Sequence, residues 1–133
     1  MARLLDTNTC IHAMRGTPSV VAAMTAHNPA ELVVSSVTSY ELHTGVEKCA
    51  NPSHERSKVE RFLNTLGQIE FDLPAAREAA RIRADLESRG EMIGPYDVLL
   101  AGQAMSLALI LVTNNTNEFA RVSGLALEDW QAS

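Results

Sequence analysis

Short apolar runs alternate along this chain with longer segments of helical periodicity, and this alternation restricts the fold more than any other feature of the sequence. Runs with the length of buried strands lie at residues 2–5, 32–35, 69–71, 109–112 and 127–129. Apolar residues with helical spacing are found at residues 19–27, 37–49, 52–67, 74–90 and 95–108. Strands that alternate with helices are typical of a parallel sheet covered by helices, so the sequence predicts an α/β fold.

The length of 133 residues predicts a single domain over residues 1–133, because soluble domains run roughly 100–200 residues. The longest clean apolar run, residues 107–112, is far shorter than the roughly 20 residues of a membrane-spanning helix. The N-terminus reaches Asp6 before the apolar core of a signal peptide could form. We therefore expect a cytoplasmic protein with no membrane partner. Cys10 and Cys49 lack metal-binding spacing, and we expect reduced thiols.

The net charge of −5, from 11 basic and 16 acidic residues, argues at first against a nucleic-acid-binding protein, since such proteins are usually basic. This argument weakens if several acidic side chains share one metal site. Two divalent cations would change the net charge from −5 to −1. Bound ions can be the largest local charges in a site, so the overall charge does not exclude a nucleic-acid partner.

Polar residues follow the predicted strands at the points where the strands end. Asp6 and Asn8 come after the first strand, and Glu41 lies beyond the second. Residues 113–118 follow the fourth strand, and Asp97 lies in the first turn of the helix that leads into it. Sites in open α/β sheets form beyond the carboxyl ends of the strands. We therefore expect acidic and amide side chains from distant parts of the chain to converge at one sheet edge.

Each of these residues also has a purely structural interpretation. Asp6 can cap a helix that starts near Asn8, and Asp97 can interact with the positive end of a helix dipole. Two further pairs have the spacing of a capping box, namely Thr38–Glu41 and Asn115–Glu118. A capping carboxylate can still face a cleft, so the structural and functional interpretations can both hold.

Asp97 is the only charged residue between Pro95 and Ala108, and burying a lone carboxylate costs several kcal/mol. Cations are scarce in the neighbouring sequence, with lysines only at 48 and 58 and no arginine between Arg89 and Arg121. Clustered carboxylates without cationic partners repel one another and raise each other's pKa values. A divalent cation removes this repulsion, and oxygen ligands suit Mg²⁺ or Mn²⁺ rather than zinc.

Four strings of the sequence together resemble one known family. They are LLDTN at 4–8, SSVTSYEL at 35–42, IGPYDVLLAGQA at 93–104 and VTNNTNEF at 112–119. These strings resemble the PIN-domain ribonucleases and, among them, the VapC toxins of bacterial toxin–antitoxin pairs. The similarity extends to the closing LEDW at 127–130 and so covers nearly the whole chain. It implies a PIN-like three-layer α/β/α sandwich with a central, mainly parallel sheet.

The resemblance places the family's first three acidic positions on Asp6, Glu41 and Asp97. The fourth position falls on Asn115 or Glu118, and we favour Glu118 for its charge. Asn8, Thr113 and Asn115 are then supporting residues. Asp6 and Asp97 are the main expected metal ligands, with a second ion toward Glu41 or Glu118.

The resemblance also implies an activity and partners. It implies an endoribonuclease toxin that uses Mg²⁺, with Mn²⁺ as a substitute, to hydrolyse phosphodiester bonds in RNA. The implied substrate is a transfer RNA, cut in the anticodon stem-loop of the initiator, which would block translation. The implied partners are a VapB-type antitoxin that occludes the site and a second copy of the toxin, with DNA contacted only through the antitoxin.

Two other classes of protein are alternatives. A haloacid-dehalogenase-type phosphohydrolase also places an Asp after its first strand, but it needs a second Asp two residues later and a late lysine, whereas this chain has Asn8 and no lysine after Lys58. A non-catalytic Mg²⁺-binding signalling module of the receiver type needs an acidic pair before the end of its first strand and a late lysine, and the sequence has neither. Basic residues on the helix 74–90 predict a solvated face more than an RNA contact, because acids lie between them; they are Arg77, Arg81, Arg83 and Arg89.

Overall fold

Five short strands form one sheet in which every neighbouring pair is parallel. The computed structural model describes residues 2–131, so Met1, Ala132 and Ser133 of the expected domain 1–133 lie outside the described residues. The strands are β1 (Arg3–Leu5), β2 (Leu32–Ser35), β3 (Gly67–Ile69), β4 (Ile110–Val112) and β5 (Leu127–Glu128). Their spatial order is β3-β2-β1-β4-β5, which puts β1 at the centre and β5 at one edge.

Helices occupy most of the connections between the strands. They are α1 (Thr7–Arg15), α2 (Pro18–Ala26), α3 (Ser36–Lys48), α4 (Pro52–Leu63), α5 (Leu73–Ser88), α6 (Pro95–Leu107) and α7 (Thr116–Phe119). Across residues 2–131, none of these helices has both the length and the apolar character needed to cross a membrane.

Side chains that alternate along the strands build a separate core on each face of the sheet. On β1, Leu4 packs with α5, α6 and α7, whereas the next residue, Leu5, packs with α1 to α4. The neighbouring strand β4 divides in the same way between Leu111 and Val112. Strands buried on both faces are expected in a parallel sheet covered by helices. The prediction of an α/β/α sandwich is therefore confirmed.

Helix α6 is buried along most of its length, as its apolar sequence predicts. It packs closely against α5 because Gly102 has no side chain at the crossing point. A Cβ atom added to Gly102 would lie 2.6 Å from the Cβ and 2.6 Å from the backbone nitrogen of Ala79. This close packing holds the N-terminal turn of α6, which carries Asp97, in a fixed position relative to the sheet.

Some of the predicted boundaries are wrong. The helix predicted over 52–67 ends at Leu63, and Gly67 instead begins β3, where a Cβ would already lie 3.0 Å from Val33 Cγ1. Strand pairing with β2 therefore moves β3 two residues earlier than the predicted run 69–71. Helix α7 is an additional element after β4. On α5, Arg81 pairs with Glu78 at 2.9 Å, and Asp85 pairs with Arg89 at 2.8 Å.

Candidate functional site

The carboxyl ends of the central strands open onto a polar cleft of about 470 Å³. Its walls come from β1 and α1, from α3, from the first turn of α6 and from the segment after β4. The residues that line it are Asp6, Thr7, Asn8, Ile11, Glu41, Asp97, Asn114 and Asn115. The structure thus brings together five of the seven residues that the sequence analysis singled out, while Thr113 and Glu118 lie behind this lining.

Asp6 occupies the central position because it directly follows the central strand. Its backbone N–H donates to the carbonyl oxygen of Val112 at 3.0 Å, which ties the end of β1 to β4. Its Oδ1 accepts a hydrogen bond of 2.8 Å from the Thr9 backbone N–H and so caps α1. Asp6 is 5% exposed to solvent. The capping interpretation is therefore correct, and the same carboxylate also lines the cleft.

Asp97 lies in the first turn of α6 and has a strongly perturbed acidity. Gly94, at the N-terminus of this helix, leaves room for the carboxylate, since a Cβ there would lie 3.1 Å from Asp97 Oδ2. Burial and, to a smaller extent, the charges of Asp6, Glu41 and Glu118 together raise the pKa of Asp97 to about 6. Three acidic groups from other parts of the chain therefore act on one half-buried carboxylate.

Glu41 points into the cleft rather than back along its own helix. The N-terminus of α3 is capped by Ser35, whose hydroxyl oxygen accepts from the Val37 backbone N–H at 3.0 Å. Glu41 Oε1 instead accepts a hydrogen bond of 2.7 Å from the Thr7 hydroxyl, which also lies 3.1 Å from the Thr38 hydroxyl oxygen. The predicted capping box of Thr38 and Glu41 is therefore wrong.

The segment after β4 supports the cleft through a chain of hydrogen bonds. The buried Thr113 hydroxyl accepts from the Asn115 backbone N–H at 3.0 Å. The Asn115 side-chain amide then donates to Glu118 Oε2 at 2.8 Å. Asn115 does not cap α7 with its side chain, so the capping-box interpretation of this pair is also wrong. Both candidates for the fourth position lie next to each other, Asn115 at the cleft and Glu118 behind it.

Besides the apolar Ile11, sequence reasoning missed two polar residues of the cleft. Thr7 fixes Glu41, and Asn114 accepts a hydrogen bond of 3.2 Å from the Asn8 side-chain amide. Both lie within polar strings that the sequence analysis had already identified, so their position after a strand was the available signal. Their partners lie more than 30 residues away in sequence, and only the folded chain shows these contacts.

The four acids of the site lack cationic partners. Within residues 2–131, the ion pairs involve acids elsewhere, and no Lys, Arg or His pairs with Asp6, Glu41, Asp97 or Glu118. The described residues also contain no group of three or more His, Cys, Asp and Glu side chains already arranged to hold an ion. The carboxylate and amide oxygens of the cleft are the kinds of ligand that a hard divalent cation prefers. Binding such a cation would require these side chains to move closer together.

The raised pKa of Asp97 predicts that Asp97→Asn stabilises the metal-free protein above about pH 7. The ionised carboxylate is disfavoured in the fold, so stability falls as the pH rises through about 6. Allowing for the partial exposure of Asp97, we expect a gain of about 1 kcal/mol, or a few degrees in melting temperature. The gain should shrink as the pH falls below about 6 and disappear near pH 3, where the carboxyl is protonated in both the folded and the unfolded state.

Asp85→Asn is the matched control for these melting curves. Asp85 lies on α5, and its hydrogen bond to Arg89 lowers the pKa of its carboxyl, so this variant should not gain stability. A melting temperature of Asp97→Asn at or below that of the wild-type protein, measured in chelator at about pH 7.5, would contradict the electrostatic account of the site.

Comparison with known proteins gives a consistent result over nearly the full chain. Residues 3–125 match the PIN domain family. The chain is 41% identical over 127 residues to the tRNA(fMet)-specific endonuclease VapC of Shigella flexneri, covering 96% of each protein. It is 35% identical to the ribonuclease VapC2 of Haemophilus influenzae, again covering 96% of each. The DNA-bound VapBC structure from Salmonella typhimurium superposes with a TM-score of 0.92 at 38% identity, covering 98% of each chain.

Proposed function

The chain belongs to the PIN-domain family and, within it, to the VapC ribonucleases; from this premise we propose that its cleft hydrolyses one phosphodiester bond in a transfer RNA with the help of Mg²⁺, which Mn²⁺ can replace. The observation that supports this proposal best is the half-buried Asp97, whose pKa is raised by burial and by three acids that have no cationic partner among residues 2–131. A site of this kind is suited to hold a divalent cation against a phosphate.

Asp6 and Asp97 are the proposed principal ligands, and Glu41 and Glu118 lie toward a second position. When bound, a divalent cation neutralises negative charge on the phosphate and makes nearby water a better nucleophile. Thr7 holds the Glu41 carboxylate in one orientation through the 2.7 Å hydrogen bond, so that Glu41 can orient the attacking water. The water oxygen forms a bond to phosphorus, and the bond from phosphorus to the leaving oxygen breaks.

Both candidate residues contribute to the fourth acidic position of the site. The Asn115 amide donates to Glu118, which keeps the carboxylate turned toward the segment that carries Thr113. Glu118 contributes negative charge that acts on Asp97, whereas Asn115 contacts the cleft. We therefore propose that Glu118 supplies the charge of the fourth position and that Asn115 and Thr113 hold it in place.

The proposed protein partner is a VapB-type antitoxin that closes the cleft in the resting cell. An apolar groove between α1, α3 and α4 runs beside the cleft and shares Ile11 and Glu41 with it. An antitoxin segment seated in this groove would cover the acidic site. We further propose one domain over residues 1–133, a homodimeric toxin acting in the cytoplasm, and DNA contact only through the antitoxin.

The proposed substrate is the initiator transfer RNA, cut in its anticodon stem-loop. With a net charge of −5, the protein lacks the broad electrostatic attraction that holds RNA of any sequence. The arginines of α5 offer little compensation, because Arg81 and Arg83 pair with Glu78 and Glu87. Recognition by shape and by unpaired loop bases is the usual alternative for specific RNA binding.

Mapping of new 5′ ends after incubation with total cellular RNA tests this function. We expect one dominant new end in the anticodon stem-loop of the initiator transfer RNA, and none with Asp97→Asn. Uniform degradation of messenger and ribosomal RNA would contradict the proposed specificity. An absence of new ends with Mg²⁺ and with Mn²⁺ would contradict the nuclease function itself.

A further inference from the structure

We propose that Tyr40 and Tyr96 form a stacking platform for an unpaired nucleobase of the RNA, next to the phosphate that is cut. This inference rests on the proposed function and assigns two aromatic residues that are each next in sequence to an acid of the same cleft. Tyr40 directly precedes Glu41 on α3, and Tyr96 directly precedes Asp97 on α6. A base held there would lie beside the acids on both helices.

The two rings form a pair that joins α3 to α6. Their hydroxyl oxygens lie 3.2 Å apart, and one hydroxyl donates a hydrogen bond to the other. The ring centroids are 5.6 Å apart, and the ring planes are tilted by 57°. A tilted partner can occupy at most one face of a ring, and both rings are exposed, so a planar base can stack on a remaining ring face.

Their exposure distinguishes these two residues from the other aromatic side chains. Tyr40 is 55% exposed and Tyr96 is 40% exposed. Of the remaining Phe and Trp residues, Phe119 and Trp130 are buried, and Phe62 and Phe71 are half-buried. Burying a large aromatic side chain stabilises a fold, and these two exposed rings contribute little to the core. Exposed aromatic side chains beside a nuclease site are suited to a base.

Stacking also answers an electrostatic difficulty at this site. RNA brings additional negative charge toward four acids, and the described residues around the cleft provide no cation that pairs with them. Base stacking on an aromatic ring contributes binding energy that does not depend on opposite charges. The tyrosine pair therefore supplies a contact that can position the RNA where phosphate contacts alone are weak.

The competing explanation is that the tyrosine pair only holds α3 against α6, and conservative substitutions distinguish between the two explanations. Tyr40→Leu and Tyr96→Leu remove the aromatic face, and we expect each to raise KM roughly tenfold to a hundredfold with a smaller change in kcat. Tyr40→Phe and Tyr96→Phe remove the hydroxyl contact but keep the ring, and we expect them to rescue most of the loss. If the pair only holds the two helices together through its hydroxyl groups, the Phe and Leu variants should show the same defect.

Direct binding provides the second measurement. The probe is the anticodon stem-loop of the initiator transfer RNA with 2-aminopurine placed in turn at each loop position, titrated against Asp97→Asn protein in Mg²⁺. We expect fluorescence quenching at one position, and we expect Tyr40→Leu or Tyr96→Leu in this background to remove it. An abasic nucleotide at that position should weaken binding as much as the leucine variants do, without a further loss on combination.

Phe62→Leu, an aromatic replacement on α4 that does not line the cleft, is the matched control and should leave the Kd unchanged. Leucine variants that bind and cut like the wild-type protein, while Asp97→Asn remains inactive, would overturn the stacking proposal and leave the proposed function standing. A shift from dimer to monomer in the leucine variants would also overturn it, since the tyrosines would then contact a second copy. Failure of the wild-type protein to cut any RNA would overturn the function instead.

Discussion

Asp97→Asn is expected to slow RNA cleavage by roughly a thousandfold or more while the fold remains intact. The change removes one anionic ligand and one negative charge from the cleft at constant side-chain size. Several kcal/mol of transition-state stabilisation depend on charge held at this position, and each 1.36 kcal/mol corresponds to a factor of about ten in rate. Single-turnover cleavage of the anticodon stem-loop, with the enzyme in excess, measures this loss without interference from product release.

Asp6→Asn should have an effect of similar size, and its structural cost should be small. An asparagine oxygen can still accept the hydrogen bond from the Thr9 backbone N–H, because asparagine is as good an N-cap as aspartate. Asp85→Asn removes the same charge from an exposed position on α5 outside the cleft and should cut at the wild-type rate. Near wild-type cleavage by folded Asp97→Asn or Asp6→Asn protein would refute the assignment of the site.

The main features of the site could be predicted from the sequence because they depend on sheet topology. Strand β2 has the bounds that its apolar run indicates, and β1 ends immediately before Asp6. Once the strands are parallel, the residues that follow them must lie at one edge, however far apart they are in the chain. The convergence of Asp6 and Glu41 follows from this rule, and Asp97 joins them because α6, which leads into the parallel strand β4, begins at the same edge of the sheet.

The orientation of individual side chains could not be predicted in the same way. Glu41 has the correct spacing for a capping box with Thr38, but Ser35 caps the helix and the Thr7 hydroxyl binds Glu41 instead. Several residues near one helix end compete for the same backbone groups, and tertiary contacts decide between them. Gly67 shows the same limit, since a glycine that suits a helix end also suits the close approach of two strands.

The tyrosine pair lies beyond sequence prediction for a related reason. Tyr40 and Tyr96 lie 56 positions apart on different helices, and tyrosine is intermediate between buried and exposed residue types, so the residue type alone does not predict their exposure. The contact between α3 and α6 places both rings at the surface. Exposure of a large side chain is decided by which faces the neighbouring elements leave uncovered, and this information is spread over the whole chain.

Removal of divalent cations is expected to reduce cleavage to the background rate, and Mg²⁺ or Mn²⁺ should restore it. When no cation is present, the acids around Asp97 repel one another, and the cleft offers no positive charge to neutralise a phosphate during attack. Ca²⁺ should bind through the same oxygen ligands but support little cleavage, because its geometry is looser and orients the reactants less well. Cleavage rates in EDTA, and after addition of each ion in excess, measure these differences.

Binding can be followed independently of cleavage through thermal stability. A cation that binds only the folded protein raises its melting temperature by an amount that grows with its concentration relative to the Kd. Mg²⁺ should therefore stabilise the wild-type protein and Asp85→Asn, and should stabilise Asp97→Asn much less, since the latter lacks a ligand. This reverses the order expected in chelator, where Asp97→Asn is the more stable protein. Full cleavage activity in excess EDTA, with trace metals removed from all components, would show that the acidic cleft works without a cation and that the proposed chemistry is wrong.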